Sequence, residues 1–259
     1  MSSNAENRRR QILEDLRRSQ VVRIAALKDQ FHVSEVSIRR DLDHLETLGF
    51  LTRFRGGAVV SSCGAMHRPF AARLHKHLDE KERIGRAAAQ LIAQGERLIF
   101  DSGTTLVHVA RSIPRELLEA ANLTVITASM PVVQELGAFK GTHLIVLGGI
   151  YLSDLMCAVG PQALNSLKDL NADKFFLGTD GATFSHGFTA ANLLETEVCQ
   201  AMIEISTEVI VVTDSSKIGL KGLTTIAPLA KVDRLITDLN APSDFVEALR
   251  REGVDVMLV

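Results

Sequence analysis

The 259-residue sequence predicts an α/β protein in two parts: a small N-terminal domain of three helices and a β wing, and a larger domain on a mostly parallel sheet. Three observations predict it. Residues 12–46 carry apolar side chains at helical spacing and lead into a Gly-Gly hairpin. Small residues, Ser61-Ser62-Cys63-Gly64-Ala65, and then Pro69 interrupt the pattern. Seven short apolar runs then alternate with helical stretches, as in a parallel sheet buried on both faces. The expected boundaries are residues 1–60 for the first domain, 61–78 for a linker and 79–259 for the second.

Ile12, Leu13 and Leu16 mark a first helix, and Ile24, Leu27 and Phe31 a second. In the third, Ile38, Leu42 and Leu45 recur at i, i+4 and i+7, so one stripe faces a core while Ser37, Arg39 and Arg40 project elsewhere. Ser34 is placed to cap this helix with its hydroxyl, and Gly49 to end it in the left-handed conformation. Leu51 to Ala58 then supplies a wing carrying Arg53, Arg55 and Gly56-Gly57. Together these elements make a winged helix-turn-helix. A capped helix start bearing serine and arginine enters a DNA groove readily. Arginine grips phosphates or forks onto guanine O6 and N7, whereas a serine hydroxyl discriminates less. Adjacent arginines can also merely solvate an exposed face, but cap, basic side chains and Gly-Gly wing coincide in one unit. The expected DNA contacts are Ser34, Ser37, Arg39, Arg40, Arg53 and Arg55, and the expected partner is a double-stranded operator.

The net charge of −2 says nothing for nucleic acid, but its distribution does. Residues 1–60 hold 11 Lys and Arg against 8 Asp and Glu, with Arg8, Arg9, Arg10, Arg17 and Arg18 on or before the first helix. Three cysteines, Cys63, Cys157 and Cys199, suit neither a disulfide framework nor a zinc cage. His108, His143 and His186 lack metal-ligand spacing, and no cofactor or metal is expected. No apolar run approaches the roughly 20 residues that span a bilayer, and the N-terminus is too polar for a signal peptide. A cytoplasmic protein without membrane contact is expected.

In the larger domain, Asp79-x-x-Glu82 reads as a capping box opening a helix with Ile84, Ala87, Ala88, Leu91 and Ile92, ending at Gly95. The expected strands are 98–100, 124–127, 144–147, 174–177, 209–213, 234–237 and 254–259. Their exits are rich in glycine, hydroxyls and carboxylates: Asp101-Ser102-Gly103-Thr104-Thr105, Thr127-Ala128-Ser129, Gly148-Gly149, Gly178-Thr179-Asp180-Gly181, Thr213-Asp214-Ser215-Ser216-Lys217 and Thr237-Asp238. In open α/β sheets ligands sit outside the carboxyl ends of strands, so these exits predict a site for a polar small molecule. The first opens a helix at once, with Leu106, Val109, Ala110 and Ile113 as its buried stripe, and a helix N-terminus attracts phosphate. The alternative is an ordinary turn in which Thr104 or Thr105 caps the helix. Lys217 can neutralise an anion, Asp101, Asp180 and Asp214 can accept from sugar hydroxyls, and Glu195 lies at or near the start of the helix carrying Val198, Ala201, Met202 and Ile205. The expected effector contacts are therefore Asp101, Ser102, Gly103, Thr104, Thr105, Thr127, Ser129, Gly148, Gly149, Gly178, Asp180, Glu195, Asp214 and Lys217.

The chain resembles the DeoR family of bacterial transcription regulators over essentially its whole length. The resemblance rests on Val33-Ser34 with Ile38-Arg39-Arg40-Asp41-Leu42, Gly56-Gly57-Ala58, Asp101-Ser102-Gly103-Thr104-Thr105, Gly148-Gly149, Gly178-Thr179-Asp180-Gly181 and Asp214-Ser215-Ser216-Lys217. It implies an N-terminal winged helix-turn-helix, a sugar-phosphate-isomerase-like sensor domain, and repression of a carbohydrate operon relieved by a phosphorylated sugar. The chain departs from the family pattern at Ala128, where asparagine is common, at Leu152, where arginine is, and at Cys199, where a basic residue is. In the DNA module Ser37 replaces threonine, Arg55 replaces a common histidine, and Arg23 takes a position that often caps the second helix.

A repressor acting as a homo-oligomer is the reading expected, since operators are usually read as repeated half-sites. The competing reading is a sugar-phosphate isomerase-like enzyme with an appended DNA-binding domain, using Asp180, Glu195 and Lys217 as acid and base. The sequence has no second glycine-rich loop presenting a lysine beside those carboxylates, as the resembling isomerases do, and no catalytic residue is expected.

Overall fold

The computed structural model describes residues 2–19, 21–47, 50–54, 56–60, 70–120 and 122–259. It divides into two compact units, Met1–Lys76 and His77–Val259. The elements of the first are α1 (Ser2–Ser19), β1 (Val21–Arg23), α2 (Ile24–Phe31), α3 (Glu35–Thr47), β2 (Leu51–Phe54), β3 (Gly57–Val60) and α4 (Phe70–Leu74). The three apolar stripes read from the sequence meet in one core: Ile12, Leu16, Ile24, Leu27, Ile38, Leu42 and Leu45 are buried together, with Leu51 and Ala58 beneath them. Each such side chain removed from water contributes about 1.5–3 kcal/mol.

Two features of this unit were not foreseen. The wing has a third strand, β1, in an antiparallel sheet ordered β1-β3-β2; three residues are too few to show a period. Gly57 is required by that strand, because a Cβ there would stand 2.2 Å from the Val22 carbonyl oxygen. The second concerns charge. Asp41 is buried, and its carboxylate accepts from Arg8 Nε at 2.6 Å and Arg9 Nε at 2.8 Å, so part of the N-terminal arginine cluster pins α1 to α3. The terminus expected for α3 at Gly49, Cys63 and most of the expected linker lie outside the described residues.

The second unit contains α5 (Leu78–Ala89), β4 (Arg97–Phe100), α6 (Thr104–Ser112), α7 (Arg115–Ala120), β5 (Leu123–Thr127), α8 (Met130–Leu136) and β6 (Thr142–Val146). A hairpin follows, β7 (Ile150–Leu152) and β8 (Cys157–Val159), and then α9 (Pro161–Leu167), β9 (Ala172–Leu177), β10 (Gly181–Thr183), β11 (Gly187–Ala190) and α10 (Leu193–Glu204). The chain finishes with β12 (Ser206–Val212), β13 (Thr224–Ala227), β14 (Arg234–Thr237), α11 (Ser243–Arg251) and β15 (Asp255–Leu258).

Seven strands form one sheet in the order β15-β14-β12-β9-β4-β5-β6, every neighbouring pair parallel. All seven apolar runs of the sequence are in it. One face packs under α5, α6 and α8 around Phe100, Val109, Phe176 and Ile210; the other packs against α9, α10 and α11 around Phe175, Leu177, Met202 and Leu249. Phe175 and Phe176, adjacent in β9, serve opposite faces as the two-residue period of a strand requires. The antiparallel pieces, β7-β8 and β10-β11-β13, were not anticipated and stand outside the main sheet.

The helix at 78–89 corrects one expectation. It begins at Leu78 after His77 (φ 53°), without a side-chain cap bond, and stops at Ala89, leaving Gly95 (φ 77°) in the turn before β4. Burial of Ile84, Ala88 and Ala89 holds it instead, while Asp79 and Glu80 favour its positive end.

Candidate functional site

On the N-terminal unit the candidate residues cluster at the start of α3. Ser34 does cap it: its hydroxyl accepts the Ser37 N–H at 3.2 Å, and the two serine hydroxyls lie 2.9 Å apart. With Ile38, Leu42 and Leu45 buried, Val36, Arg39, Arg40, Asp43 and His44 are left facing out. Arg39 folds back onto Glu35 at 2.6 Å, and that hydrogen bond holds the Glu35 carboxyl below the usual carboxylate range. Exposed pairs of this kind are weak, so the Arg39 guanidinium is readily released from Glu35. Arg40 is exposed.

Arg53 is occupied differently. Its backbone N–H donates to Glu46 at 2.6 Å and its guanidinium is ion-paired with Asp43, so it ties the wing to α3. Arg23 lies over the Phe54 ring at 4.9 Å and makes no side-chain cap bond to α2. Arg55 lies outside the described residues. Sequence reasoning passed over Val36, which is 67% exposed; an apolar side chain there suits a thymine methyl. Its signal was a valine off the helix's buried stripe, between Ser34 and Ser37.

In the second unit, strands β4, β5 and β6 are added in one direction from the centre and β9, β12, β14 and β15 in the other, so the order reverses between β4 and β9. Outside the carboxyl ends at such a reversal a crevice is left for ligands. Here the exits of the two strands are joined: Asp101, after β4, accepts the Gly178 N–H, after β9, at 3.0 Å. Beside them lies a small cleft lined by Asp101, Ser102, Ala128, Cys157, Ala158, Val159, Glu195, Val198, Cys199 and Met202.

Its polar wall is built from two elements. Ser102 donates to Glu195 Oε1 at 2.6 Å, linking the β4 exit to the first turn of α10, which Asn192 caps by accepting the Glu195 N–H at 3.2 Å. Asp101 accepts the Ser102 N–H at 2.6 Å and the Cys199 thiol at 3.3 Å. Burial pushes the Asp101 carboxyl up to about 6, against the pull of these donors and the Gly178 N–H. Burial, reinforced by the Asp101 and Glu195 charges, raises Cys199 well above the usual thiol range, which makes it a donor here and not a nucleophile. Gly103 (φ 126°) lets the chain turn into α6, whose first two residues are Thr104 and Thr105, both buried. Neither threonine is the cap; that position belongs to Gly103, and no side chain caps the helix.

Of the residues expected to hold an effector, Asp101, Ser102 and Glu195 line the cleft, and Gly103, Thr104, Thr105 and Gly178 adjoin that wall in sequence or by hydrogen bond. Others are engaged within the fold. Thr127 donates to the Phe100 carbonyl at 2.7 Å, and Ser129 caps α8 through the Val132 N–H at 3.4 Å; both are fully buried. Gly149 brings β7 against β8, since a Cβ there would be 2.3 Å from the Val159 carbonyl oxygen, and Gly148 precedes it in the same turn. Asp214 accepts the Ser216 N–H at 3.2 Å and caps the short turn Ser215–Lys217. Lys217 Nζ lies 4.0 Å from Asp180, whose other oxygen accepts the Ala191 N–H at 3.0 Å. Ala128 and Cys199, noted in the sequence as departures, are both in the wall, as are Cys157, Val159 and Met202, which no polar motif could mark. Among the described residues no group of three or more His, Cys, Asp or Glu is placed to hold a metal ion.

Comparison with known proteins gives two family matches: the DeoR-like helix-turn-helix domain over residues 8–63 and the DeoR C terminal sensor domain over residues 76–239. Among curated proteins, the transcriptional repressor AccR of Agrobacterium fabrum is 32% identical, over 91% of this chain and 90% of its own. The HTH-type transcriptional repressor GlcR of Bacillus subtilis is 31% identical over 95% and 93%. The glycerol-3-phosphate regulon repressor of Escherichia coli K12 is 29% identical over 95% and 96%. Among solved structures, ribose 5-phosphate isomerase A of Methanocaldococcus jannaschii overlaps 55% of this chain and 55% of its own, with a TM-score of 0.42 and 16% identity.

Proposed function

The chain belongs to the DeoR family of transcription regulators, and from that premise we propose that it represses a carbohydrate-utilisation operon and is released from its operator by a phosphorylated sugar. It is a DNA-binding regulator and not an isomerase: relatives matching nearly its full length are named as repressors, and its family models are a helix-turn-helix and a sensor. In this reading Ser34, Ser37, Arg39 and Arg40 meet the duplex, with Arg53 of the wing beside them, and Arg55 is a further proposed contact. No helix among the described residues is long and apolar enough to cross a membrane, in keeping with a cytoplasmic site of action. More than one copy of the chain acts on each operator, because repeated half-sites demand it.

The observation that carries the sensing half is the cleft at the sheet's reversal, where the exit of β4 runs directly into the N-terminus of α6. The sugar occupies the cleft against Asp101, Ser102 and Glu195, and its phosphate meets the first turn of α6 at Thr104 and Thr105. Release requires the effector to favour the DNA-incompetent state; a 10- to 100-fold preference, about 1.4–2.8 kcal/mol, is ordinary allosteric coupling. A gel shift on the chain's own upstream DNA, titrated with phosphorylated sugars, tests the whole reading. Thr104→Val is expected to keep DNA affinity and lose the effector response; a retained response removes the phosphate from α6.

A further inference from the structure

The two ends of the seven-stranded sheet are finished in different ways. At one end β15 carries Asp255, ion-paired to Arg234 at 2.9 Å, and the chain end beyond it is held by Arg83 through the Val259 carbonyl at 2.5 Å. Charge on an edge strand discourages pairing with another chain. At the other end β6 and the hairpin after it have no such protection. From Thr142 to Leu152 the sequence contains no Asp, Glu, Lys or Arg, and Ile145, Val146, Ile150 and Tyr151 are 36%, 46%, 50% and 53% exposed.

The backbone of β6 also has a defined direction. Leu147 donates its N–H to the Thr127 carbonyl at 2.9 Å, toward β5, and in a parallel ladder residues alternate in the side they address. Ile145 therefore bonds inward with Leu147, whereas Leu144 and Val146 turn both N–H and C=O to the open edge. These are the two residues needed for an antiparallel strand centred on Ile145. If that strand is β6 of an identical chain, Leu144 of each copy exchanges two hydrogen bonds with Val146 of the other, and the two Ile145 side chains meet on the twofold axis. Pairing of this kind closes on itself, whereas β6 against β15 of the next copy would continue without limit.

We infer that the β6 edge is the contact between two copies of this chain, joined antiparallel about Ile145 into a continuous sheet. The inference rests on the proposed oligomer but not on the identity of the DNA or the effector. The lack of charge along the run favours a second copy over an acidic or basic partner, and the exposed side chains of Ile145, Val146, Ile150 and Tyr151 are apolar.

Sedimentation equilibrium and oxidative cross-linking of the full chain test it, with circular dichroism checking that each variant is folded. Ile145→Lys sets two like charges opposite each other, and Val146→Pro removes an N–H used only between copies; each is expected to halve the mass of the wild-type assembly. Leu258→Lys, on the far edge, is expected to leave it unchanged. In a Cys63→Ser background, Ile145→Cys is expected to give a covalent dimer with oxidised glutathione, which accepts the two electrons and two protons lost by the thiols. Opposed residues of a non-hydrogen-bonded pair stand about 4.5 Å apart at Cα, within reach of a disulfide. Leu258→Cys is expected not to cross-link. An assembly of wild-type mass in folded Ile145→Lys and Val146→Pro, or absence of the Ile145→Cys cross-link, overturns the inference while leaving the oligomer standing. A monomeric wild-type chain overturns both.

Discussion

Asp101 stands at the junction of the β4 and β9 exits. Its carboxyl is buried among neutral donors, the Ser102 and Gly178 N–H groups and the Cys199 thiol, and is held near 6. The folded chain therefore binds this proton more tightly than the unfolded one, where an aspartate titrates near about 4. That contributes stability in full below about pH 4, and the contribution is lost as pH rises through about 6, by on the order of 2–3 kcal/mol. Urea unfolding at pH 5 and pH 7.5 is expected to show the fall, and Cys199→Lys, whose ammonium would keep the carboxylate ionised, to abolish it. Equal pH dependence in the two proteins would contradict this account. On the DNA side Arg40 is exposed on α3. Arg40→Ala is expected to weaken operator binding by about 1–3 kcal/mol if it reads a base; if it holds only a phosphate, the salt slope falls by about one on every sequence tested.

At the scale of elements, the wing depends on a contact that its own two strands do not contain. Gly57 lies where β3 meets β1, and a methyl group there would press on the Val22 carbonyl and on the Phe54 ring, 2.8 Å away. Gly57→Ala is expected to cost about 1–3 kcal/mol in thermal unfolding of the N-terminal unit and to weaken DNA binding with it. Helices α1, α2 and α3 and all seven strands of the large sheet were legible in the sequence, because apolar side chains such as Ile38, Leu42 and Leu45, or Phe175 and Phe176, repeat with the period of the element that buries them. Strand β1 and the antiparallel pieces at 150–159 and 181–190 were not. Likewise Asp79 and Glu82 resembled a cap, yet helix packing through Ile84 and Ala88 fixed where α5 begins.

At the scale of the molecule, the chain divides into two compact units, and in the proposed function the effector binds the second. A phosphorylated sugar at 100 times its dissociation constant is expected to raise the stability of unit His77–Val259 by about 2.7 kcal/mol, read as a shift of that unit's thermal transition. Thr104→Val is expected to remove the shift.

The amino-acid sequence by itself determined the two-part plan, the capped third helix and the loops at the carboxyl ends of the strands, because these follow from periodicity and from local backbone chemistry. Only the tertiary structure decided which of those loops share a cleft. Thr127, Ser129, Gly149 and Asp214 have residue types as suitable as Asp101, Ser102 and Glu195, yet their polar groups or close contacts serve the fold itself. Cys157, Cys199 and Met202 line the cleft without any polar signature. The order of strands accounts for the difference: it reverses between β4 and β9, bringing Asp101 to Gly178 across 77 residues of chain, and no local pattern encodes that meeting.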